Sequence, residues 1–233
     1  MQERLDVDGD DDPSDSDDSG PSQQDSDSTL MDKIREEITG FEWDFEGLLR
    51  ANHDPMEIPP ESKVVTIIFE HWTQKQIEEL IEENGWDVRV EYSGSRQYPD
   101  ITLFDNEFND EKQYALDVKT GRKADNGTEL DGPMTLGSYA SYFRNPSTSP
   151  RSIPHAYETY DEHWIAAFLR QWSADDGSQG MVSDIEILVT QKWRISAFKP
   201  GSGDTNNIGS VKNVRCLEDG EGAFESRERF EEY

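Results

Sequence analysis

Apolar residues recur at helical spacing in two segments of the N-terminal third of the chain. The first segment starts after Ser28 or Thr29, which are both favourable residues for capping a helix, and its pattern is typical of an amphipathic helix. Its apolar positions are Leu30, Ile34, Ile38 and Phe41. The second segment, "SKVVTIIFEHWTQKQIEELIEENG", predicts one long helix or a two-part helix, with Gly85 as the residue that ends it.

Short runs of branched and aromatic residues follow Gly85. "WDVRVEY", "DITLF" and "QYALDVK" each predict a strand. Further along, "YETYDEHWIAAFLRQW" predicts another helix, because its large apolar residues fall on one helical stripe. These residues are Trp164, Ala167, Phe168 and Trp172. "SDIEILVTQKWRISAF" then predicts one or two strands, so the order of elements indicates an α/β fold with a mixed central β-sheet flanked by helices.

Charged residues interrupt two of the predicted strands. Asp100 and Asp117 lie in or beside apolar runs, and Lys119 follows the second carboxylate by two positions. Burying a carboxylate costs several kcal/mol, about 3 or more, unless something pairs with it. A bound metal ion is one partner that would justify both acids.

The spacing of these residues also predicts their relative placement. Asp117 and Lys119 are two apart on one strand, so their side chains point to the same face. A short hairpin-like connection would bring Asp100 beside Asp117. Two oxygen ligands can hold Mg²⁺, and a lysine beside them would offset charge on a phosphate. The alternative is a pair of acids at a strand edge with a solvated lysine, and these residues alone leave both interpretations open.

The chain is strongly acidic, with a formal net charge of -29 from Lys+Arg 22 against Asp+Glu 51 over 233 residues. Residues 1–29 are predicted to be an acidic tail, since "DVDGDDDPSDSDDSGPSQQDSDS" has too little apolar surface to become ordered. Residues 30–233 are expected to form one domain. Acids also decorate exposed positions beyond the tail, which is typical of halophilic proteins in a very salty cytoplasm.

Cysteine content and hydropathy exclude several classes of protein. Cys216 is the only cysteine, so the chain has no internal disulfide and no CxxC metal knuckle. No run is long and apolar enough for a membrane span or a signal peptide. A cytoplasmic protein is predicted.

A set of short motifs occurs in one order along the chain: "PD", "DVK", "MTLGSYASYFRN", "YDEHWIAAF", "QKW" and "GSGDTNNIGS". From about Leu30 to Tyr233, this order resembles the EcoRV-like type II restriction endonucleases of the PD-(D/E)xK nuclease superfamily. The resemblance implies a restriction-endonuclease-like core and a homodimer that clamps double-stranded DNA. It also implies Mg²⁺-dependent cleavage of both strands of a short palindrome, with blunt ends and a cognate DNA methyltransferase in the same host.

The resemblance assigns the catalytic residues position by position. Asp100 matches the Pro-Asp carboxylate, and Asp117 with Lys119 matches the acid-x-Lys pair. Glu70, in "KVVTIIFE", matches a helical glutamate that can serve a second metal position, although by itself it equally suits an exposed helix acid beside His71. Asp100, Asp117 and Glu70 are the implied metal ligands. The implied reaction is in-line attack of water on phosphorus, which expels the 3′ oxygen and leaves a 5′ phosphate.

Base recognition is expected in "GSGDTNNIGS", whose glycines allow the backbone to approach base edges. The candidate residues are Gly201, Gly203, Asp204, Thr205, Asn206 and Asn207; the alternative is a surface hairpin turn. The family site is GATATC, but Asp204 stands where the family has asparagine. An ionised aspartate only accepts hydrogen bonds and faces adenine N7 unfavourably, so the preference has changed, or Asp204 acts protonated or through a bridging cation.

Further DNA contacts are expected outside that loop. Arg96, in the divergent "YSGSRQ", suits the minor groove or a phosphate. The phosphate candidates are Thr120, Thr135, Ser138, Ser141, Arg144 and Asn145. For the segment "TLGSYASYFRN" the alternative is a helix start or polar loop. The family continues past "AFESRERFEEY" with a basic extension, so this protein manages without those contacts or the given chain is incomplete.

The acidity argues against an ordinary DNA-binding protein, because the basic surface that attracts phosphates is missing. In concentrated salt, however, counterion release contributes little, and hydrogen bonds, shape and bound cations must carry the binding. Two other functions therefore remain open. One is a structure-specific nuclease of the same superfamily, such as a junction resolvase or repair nuclease, and the other is a non-enzymatic acidic binding protein.

Overall fold

A computed structural model describes most of the predicted domain. The described residues are 28–51, 53–94, 97–108, 111–138, 147, 154–200 and 207–233. The predicted acidic tail lies outside them except for Ser28 and Thr29. In the described part, no helix combines the length and the apolar character needed to cross a membrane.

Helices and strands are mixed along the chain, with several strands in succession. The helices are α1 (Leu30–Glu37), α2 (Ser62–Asn84), α3 (Gly177–Gly180), α4 (Lys192–Ile195), α5 (Val214–Glu218) and α6 (Arg227–Glu231), with a 3₁₀ turn at Tyr157–Thr159. The strands are β1 (Leu48–Arg50), β2 (His53–Met56), β3 (Val88–Tyr92), β4 (Ile101–Asp105), β5 (Lys112–Arg122), β6 (Thr135–Ser138), β7 (Glu162–Trp172), β8 (Val182–Gln191), β9 (Ser196–Pro200) and β10 (Asn207–Ser210).

Both predicted N-terminal helices are present, and their ends have identifiable causes. Thr29 caps α1 through a reciprocal pair of hydrogen bonds with Asp32. Helix α2 is one continuous helix, and it ends at Gly85, whose φ of 67° lies in the left-handed region that favours glycine. The buried residues Val65, Phe69 and Ile77 face the sheet from α2. The helix that presents Glu70 is therefore fixed by a full row of core contacts.

The central sheet has five strands in the order β3-β4-β5-β7-β8. Neighbouring strands are antiparallel except for β5 and β7, which run parallel with Asp117 opposite Ile165. The prediction of a mixed sheet is confirmed, and strands β3, β4 and β5 coincide with the three predicted strand segments. Because β4 and β5 are neighbouring antiparallel strands, Asp100, just before β4, and Asp117, on β5, meet at one end of the pair.

The helix predicted across "YETYDEHWIAAFLRQW" is wrong: this segment contains the 3₁₀ turn and then β7. Strand β7 lies between β5 and β8 and is buried on both faces. Trp164 and Phe168 pack with α1 and α2, whereas Ala167 packs in the core on the opposite face. A central strand with two buried faces loses the alternation that marks a half-buried strand, so apolar spacing alone mistook it for a helix.

A second sheet of three short strands has the order β6-β10-β9. Strand β10 pairs antiparallel with both neighbours, so the connection 201–206 joins two paired strands. Strand β6 occupies "TLGS", where a helix start or polar loop was the alternative expectation. Leu136 and Ile208 join this sheet to the core that covers the other face of the central sheet.

Candidate active site

The two predicted carboxylates meet where β4 begins. Ile101 lies opposite Leu116 in the antiparallel pair, so one further step places Asp100 opposite Asp117. Asp100 Oδ2 accepts a hydrogen bond of 2.7 Å from the Val118 N–H. Since the pairing with β4 ends at Leu116 while β7 continues to pair as far as Arg122, β5 is open on one edge from Asp117 onward.

Lys119 lies on the same side of β5 as Asp117. Its Nζ is 2.5 Å from Asp117 Oδ2 and also donates to the Val118 carbonyl at 3.2 Å. The Asp117 carboxylate is buried, whereas the lysine is partly exposed. This is the placement that the i, i+2 spacing predicts, and it leaves the ammonium at the border between the acid pair and solvent.

The electrostatic environment disfavours simultaneous ionisation of Asp100 and Asp117. Burial and the nearby Asp117 carboxylate raise the pKa of Asp100 to about 8, although Lys119 opposes the shift. Burial alone would lower the pKa of Lys119, but the attraction of Asp117, Asp100 and Glu70 outweighs it, and the net shift is upward. A second cation added to this site would relieve the repulsion between the carboxylates.

Glu70 approaches the site from α2. Burial raises the pKa of its carboxyl, Lys119 lowers it and Asp117 raises it, so Glu70 lies within electrostatic reach of both residues. One helical turn earlier, the Thr66 and Thr120 hydroxyls are 3.3 Å apart and tie α2 to β5. The helix thus brings a third carboxylate to the open edge of β5.

The donor set suits a divalent cation with oxygen ligands. Asp117 Oδ2 is buried, and apart from its ion pair with Lys119 no hydrogen bond satisfies it. Within the described residues, no three histidine, cysteine, aspartate or glutamate side chains converge into a ready-made metal cage. Two carboxylates with a third nearby are oxygen ligands of the kind that hard divalent cations prefer.

Comparisons with known proteins identify the family. A profile described as restriction endonuclease EcoRV matches residues 39–233. The type II restriction enzyme EcoRV of Escherichia coli is 27% identical over 205 residues, which cover 82% of this chain and 81% of the relative. The chain belongs to the EcoRV restriction endonuclease family. Membership of the EcoRV family implies a nuclease that binds DNA, and it supports the predicted restriction-endonuclease-like fold.

The structure places only part of the predicted DNA contacts of this EcoRV-family enzyme. Thr120 lies on β5 beside the acid pair, Thr135 lies on β6, and the Ser138 backbone pairs with Asn207 of β10. The other candidates lie outside the described residues: Arg96, Ser141, Arg144, Asn145, Gly201, Gly203, Asp204, Thr205 and Asn206. Their roles stay predictions.

Sequence reasoning missed a buried polar group behind the site of the EcoRV-family enzyme. Lys192, fully buried at the start of α4, donates to the Tyr98 hydroxyl at 2.6 Å. The same hydroxyl is 2.8 Å from Nδ1 of buried His163. "QKW" had contributed only to the motif order, and no spacing connects Lys192 to a tyrosine 94 positions earlier.

Proposed function

We propose that the chain is a Mg²⁺-dependent type II restriction endonuclease that cuts both strands of a short palindrome, GATATC or a related site, and leaves blunt ends. It acts as a homodimer in the cytoplasm, alongside a cognate DNA methyltransferase that protects the host. The observation that carries the proposal is the meeting of Asp100, Asp117 and Lys119 at the open edge of β5. Glu70 is the fourth member of the proposed catalytic group.

Each side chain has a distinct task in this mechanism. Asp100 and Asp117 would hold the divalent ion, which would supply polarisation of the phosphate and a lowered pKa of water. Glu70 supplies a further carboxylate from α2 for a second ion position. Lys119, whose raised pKa keeps it protonated, holds a positive charge beside the phosphate and offsets the negative charge that develops during in-line displacement.

The proposed DNA contacts divide between phosphates and bases. Thr120, Thr135, Ser138, Ser141, Arg144 and Asn145 are assigned to phosphates, and Arg96 to a phosphate or the minor groove. Gly201, Gly203, Asp204, Thr205, Asn206 and Asn207 are assigned to base edges in the major groove. The pairing of β9 with β10 supports this assignment, because it anchors both ends of the segment that contains the base-contacting residues.

The net charge of -29 requires that binding does not depend on a basic surface. A halophilic enzyme meets this requirement, since concentrated salt screens long-range repulsion between the protein and DNA. Neutral hydroxyl and amide contacts to phosphate, together with bound cations, then supply the affinity. Cleavage is accordingly expected to persist or increase at KCl concentrations that inhibit proteins relying on lysine–phosphate attraction.

The direct test is digestion of unmethylated plasmid and phage DNA across a KCl series, with Mg²⁺ or EDTA, followed by sequencing of the fragment ends. Discrete blunt ends that require Mg²⁺ support the proposal and give the site. Cleavage confined to branched DNA would indicate a structure-specific nuclease instead. Intact DNA at every salt concentration, with a folded protein, would favour a non-enzymatic acidic binding protein.

Asp204→Asn tests the base-recognition assignment separately. The substitution restores a side chain whose amide oxygen can accept from the N6 amino group of adenine and whose amide N–H can donate to N7. We expect the cleavage-site profile to shift while the Mg²⁺ requirement stays the same. An unchanged profile would remove Asp204 from base recognition without affecting the assignment of the catalytic residues.

A further inference from the structure

Lys192, Tyr98 and His163 form a buried hydrogen-bonded chain on the protein side of the candidate active site. Lys192 Nζ donates to the Tyr98 hydroxyl at 2.6 Å, and that hydroxyl is 2.8 Å from His163 Nδ1. All three side chains are buried, and they come from three separate segments of the chain. Buried polar groups of this kind are costly unless their hydrogen bonds are satisfied, so the chain constrains all three segments.

The chemistry of the three groups sets the direction of the hydrogen bonds. Lys192 Nζ is the donor in its contact with Tyr98, so the Tyr98 oxygen accepts and its own hydrogen points to His163 Nδ1. Burial and the charges of Lys192 and Arg227 lower the pKa of His163 well below its usual value, so His163 is neutral and free to accept. Its ring also stacks on Tyr157, with centroids 3.8 Å apart, which holds the acceptor in place.

Tyr98 transmits this constraint to the acid pair. It lies two residues before Asp100, and the short segment between them is held at both ends. At one end the Tyr98 hydroxyl is anchored by Lys192 and His163. At the other end Asp100 Oδ2 accepts from the Val118 N–H at 2.7 Å, and the Asp100 carbonyl accepts from the Ser93 N–H at 3.1 Å.

We propose that Lys192 is a positioning residue of the nuclease site, which acts through Tyr98 to hold the Asp100 carboxylate where a divalent cation binds. The inference rests on the proposed function, since it assigns the metal site to Asp100 and Asp117. His163 completes the support by fixing the tyrosine hydroxyl from its other side. Supporting residues around a metal site typically contribute about 10- to 100-fold to metal affinity.

The competing explanation is that Lys192 acts only as a buried charge. Burial lowers the pKa of Lys192 to about 7, while the attraction of Asp117 and Asp100 favours its charged form. The two explanations predict opposite effects. A charge-only role means that Lys192→Met removes a repelling cation and tightens metal binding, while Tyr98→Phe changes nothing. A positioning role means that both substitutions loosen Asp100 and weaken metal binding.

The experiment is a titration of the full-length protein with Mn²⁺, which prefers the same oxygen ligands as Mg²⁺, with free Mn²⁺ followed by electron paramagnetic resonance. Asp100→Asn, which lacks a ligand of the proposed site, serves as the reference. Subtracting its titration curve removes the contribution of Mn²⁺ bound by the many surface acids. We expect about tenfold weaker site binding for both Lys192→Met and Tyr98→Phe, and a similar rise in the Mg²⁺ concentration that gives half-maximal cleavage. The KM for DNA should stay unchanged.

Lys123→Met is the matched control, because Lys123 is also a buried lysine but pairs with Asp184 and Glu186 on β8. It should leave Mn²⁺ binding as in the wild type. Tighter or unchanged Mn²⁺ binding in either Lys192→Met or Tyr98→Phe would overturn the positioning role. If Lys192→Met does not fold, Tyr98→Phe decides alone, since it removes one hydroxyl and keeps the ring.

The two proposals fail in distinguishable ways. A folded wild-type protein that cleaves no DNA would remove the proposed function, whatever the Mn²⁺ titrations show. A wild type that cleaves DNA, with Mn²⁺ binding unaltered in both variants, would leave the nuclease assignment intact and reject the role of Lys192.

Discussion

Two lysine–carboxylate clusters lie four residues apart along β5 and its continuation, and their burial is reversed. At the proposed catalytic cluster, called the catalytic cluster below, the Asp117 side chain is 3% exposed and the Lys119 side chain 24% exposed. At the second cluster Lys123 is 2% exposed, while its partners Asp184 and Glu186 are 60% and 46% exposed. The first cluster buries the acid Asp117 and the second buries its base.

This reversed burial suits one cluster to chemistry and the other to stabilising the fold. Solvated acids around a buried lysine satisfy one internal charge and have no reason to attract another cation. Asp117, which is buried, and Asp100, which is half-buried, share one lysine and remain short of positive charge, as the raised pKa of Asp100 indicates. The same residue types on one strand therefore give a closed ion pair at one point and, under the proposed function, a site that attracts a metal ion and a phosphate at another.

The largest effect is expected from breaking the catalytic cluster. Asp117→Ala and Lys119→Ala should each lower the cleavage rate to background, a loss of about 10²–10³-fold or more, because they remove a metal ligand and the charge beside the phosphate. Circular dichroism should show an intact fold, and Lys123→Met should keep cutting. Wild-type turnover in both variants would contradict the assignment of Asp117 and Lys119 as catalytic residues.

The second cluster should respond in stability rather than in activity. Asp184→Asn combined with Glu186→Gln leaves Lys123 buried without its carboxylates, and we expect a loss of about 3 kcal/mol of unfolding free energy. Lys123→Met should cost less, since the two acids that remain are solvated. Urea unfolding at one fixed KCl concentration measures both variants. Equal losses would show that burial of the lysine does not govern this cluster.

Unfolding free energies measured in EDTA over a pH series test the shortage of positive charge at the catalytic cluster. The pKa of Asp100 is raised in the folded protein to about 8, so its contribution to stability is complete below the unfolded pKa near 3.8 and is lost as pH rises through about 8. Unfolding free energy should thus fall more between pH 6 and 9 in the wild type than in Asp100→Asn. Parallel curves for the two proteins would contradict the shift.

Mg²⁺ should remove this pH dependence, because a cation stabilises the ionised carboxylates. The same two pH values with saturating Mg²⁺ give the comparison. The wild type should gain more stability from Mg²⁺ at pH 9 than at pH 6, where protons compete with the metal for Asp100.

The smallest effect is expected at the neighbouring pair of hydroxyls, Thr66 and Thr120. Thr120 is assigned to a DNA phosphate, so Thr120→Val should weaken DNA binding about fivefold, the value of one ordinary hydrogen bond of about 1 kcal/mol. Thr66→Val removes the same contact between α2 and β5 without the phosphate and should change binding less. Filter binding or anisotropy at fixed KCl measures both, and equal losses would indicate that the threonines act only by joining the two elements.

Local patterns predicted the parts of the fold that depend on nearby residues. Helices α1 and α2 follow from apolar spacing and end signals, and β3, β4 and β5 from short apolar runs with turns between them. The acid pair belongs to the same class, since Asp100 and Asp117 meet across one hairpin. Lys119 follows from the two-residue period of a strand.

Long-range contacts account for what the sequence left undetermined. Strand β7 looked helical because its neighbours β5 and β8, rather than its own pattern, decide that both faces are buried. Tyr98 meets His163 and Lys192 across 65 and 94 positions, and no motif spacing encodes such contacts. The resemblance supplied the order of the segments but not the buried support behind the site.

The separation of the two sheets has a consequence for how such enzymes diversify. Asp100 and Asp117 belong to the end of the five-stranded sheet, whereas residues 201–206 connect two strands of the three-stranded sheet. Under the proposed function, hydrolysis and base recognition are thus inherited on different scaffolds. A descendant can change the connection between β9 and β10 to recognise a new target sequence, and its catalytic residues then need no compensating substitutions.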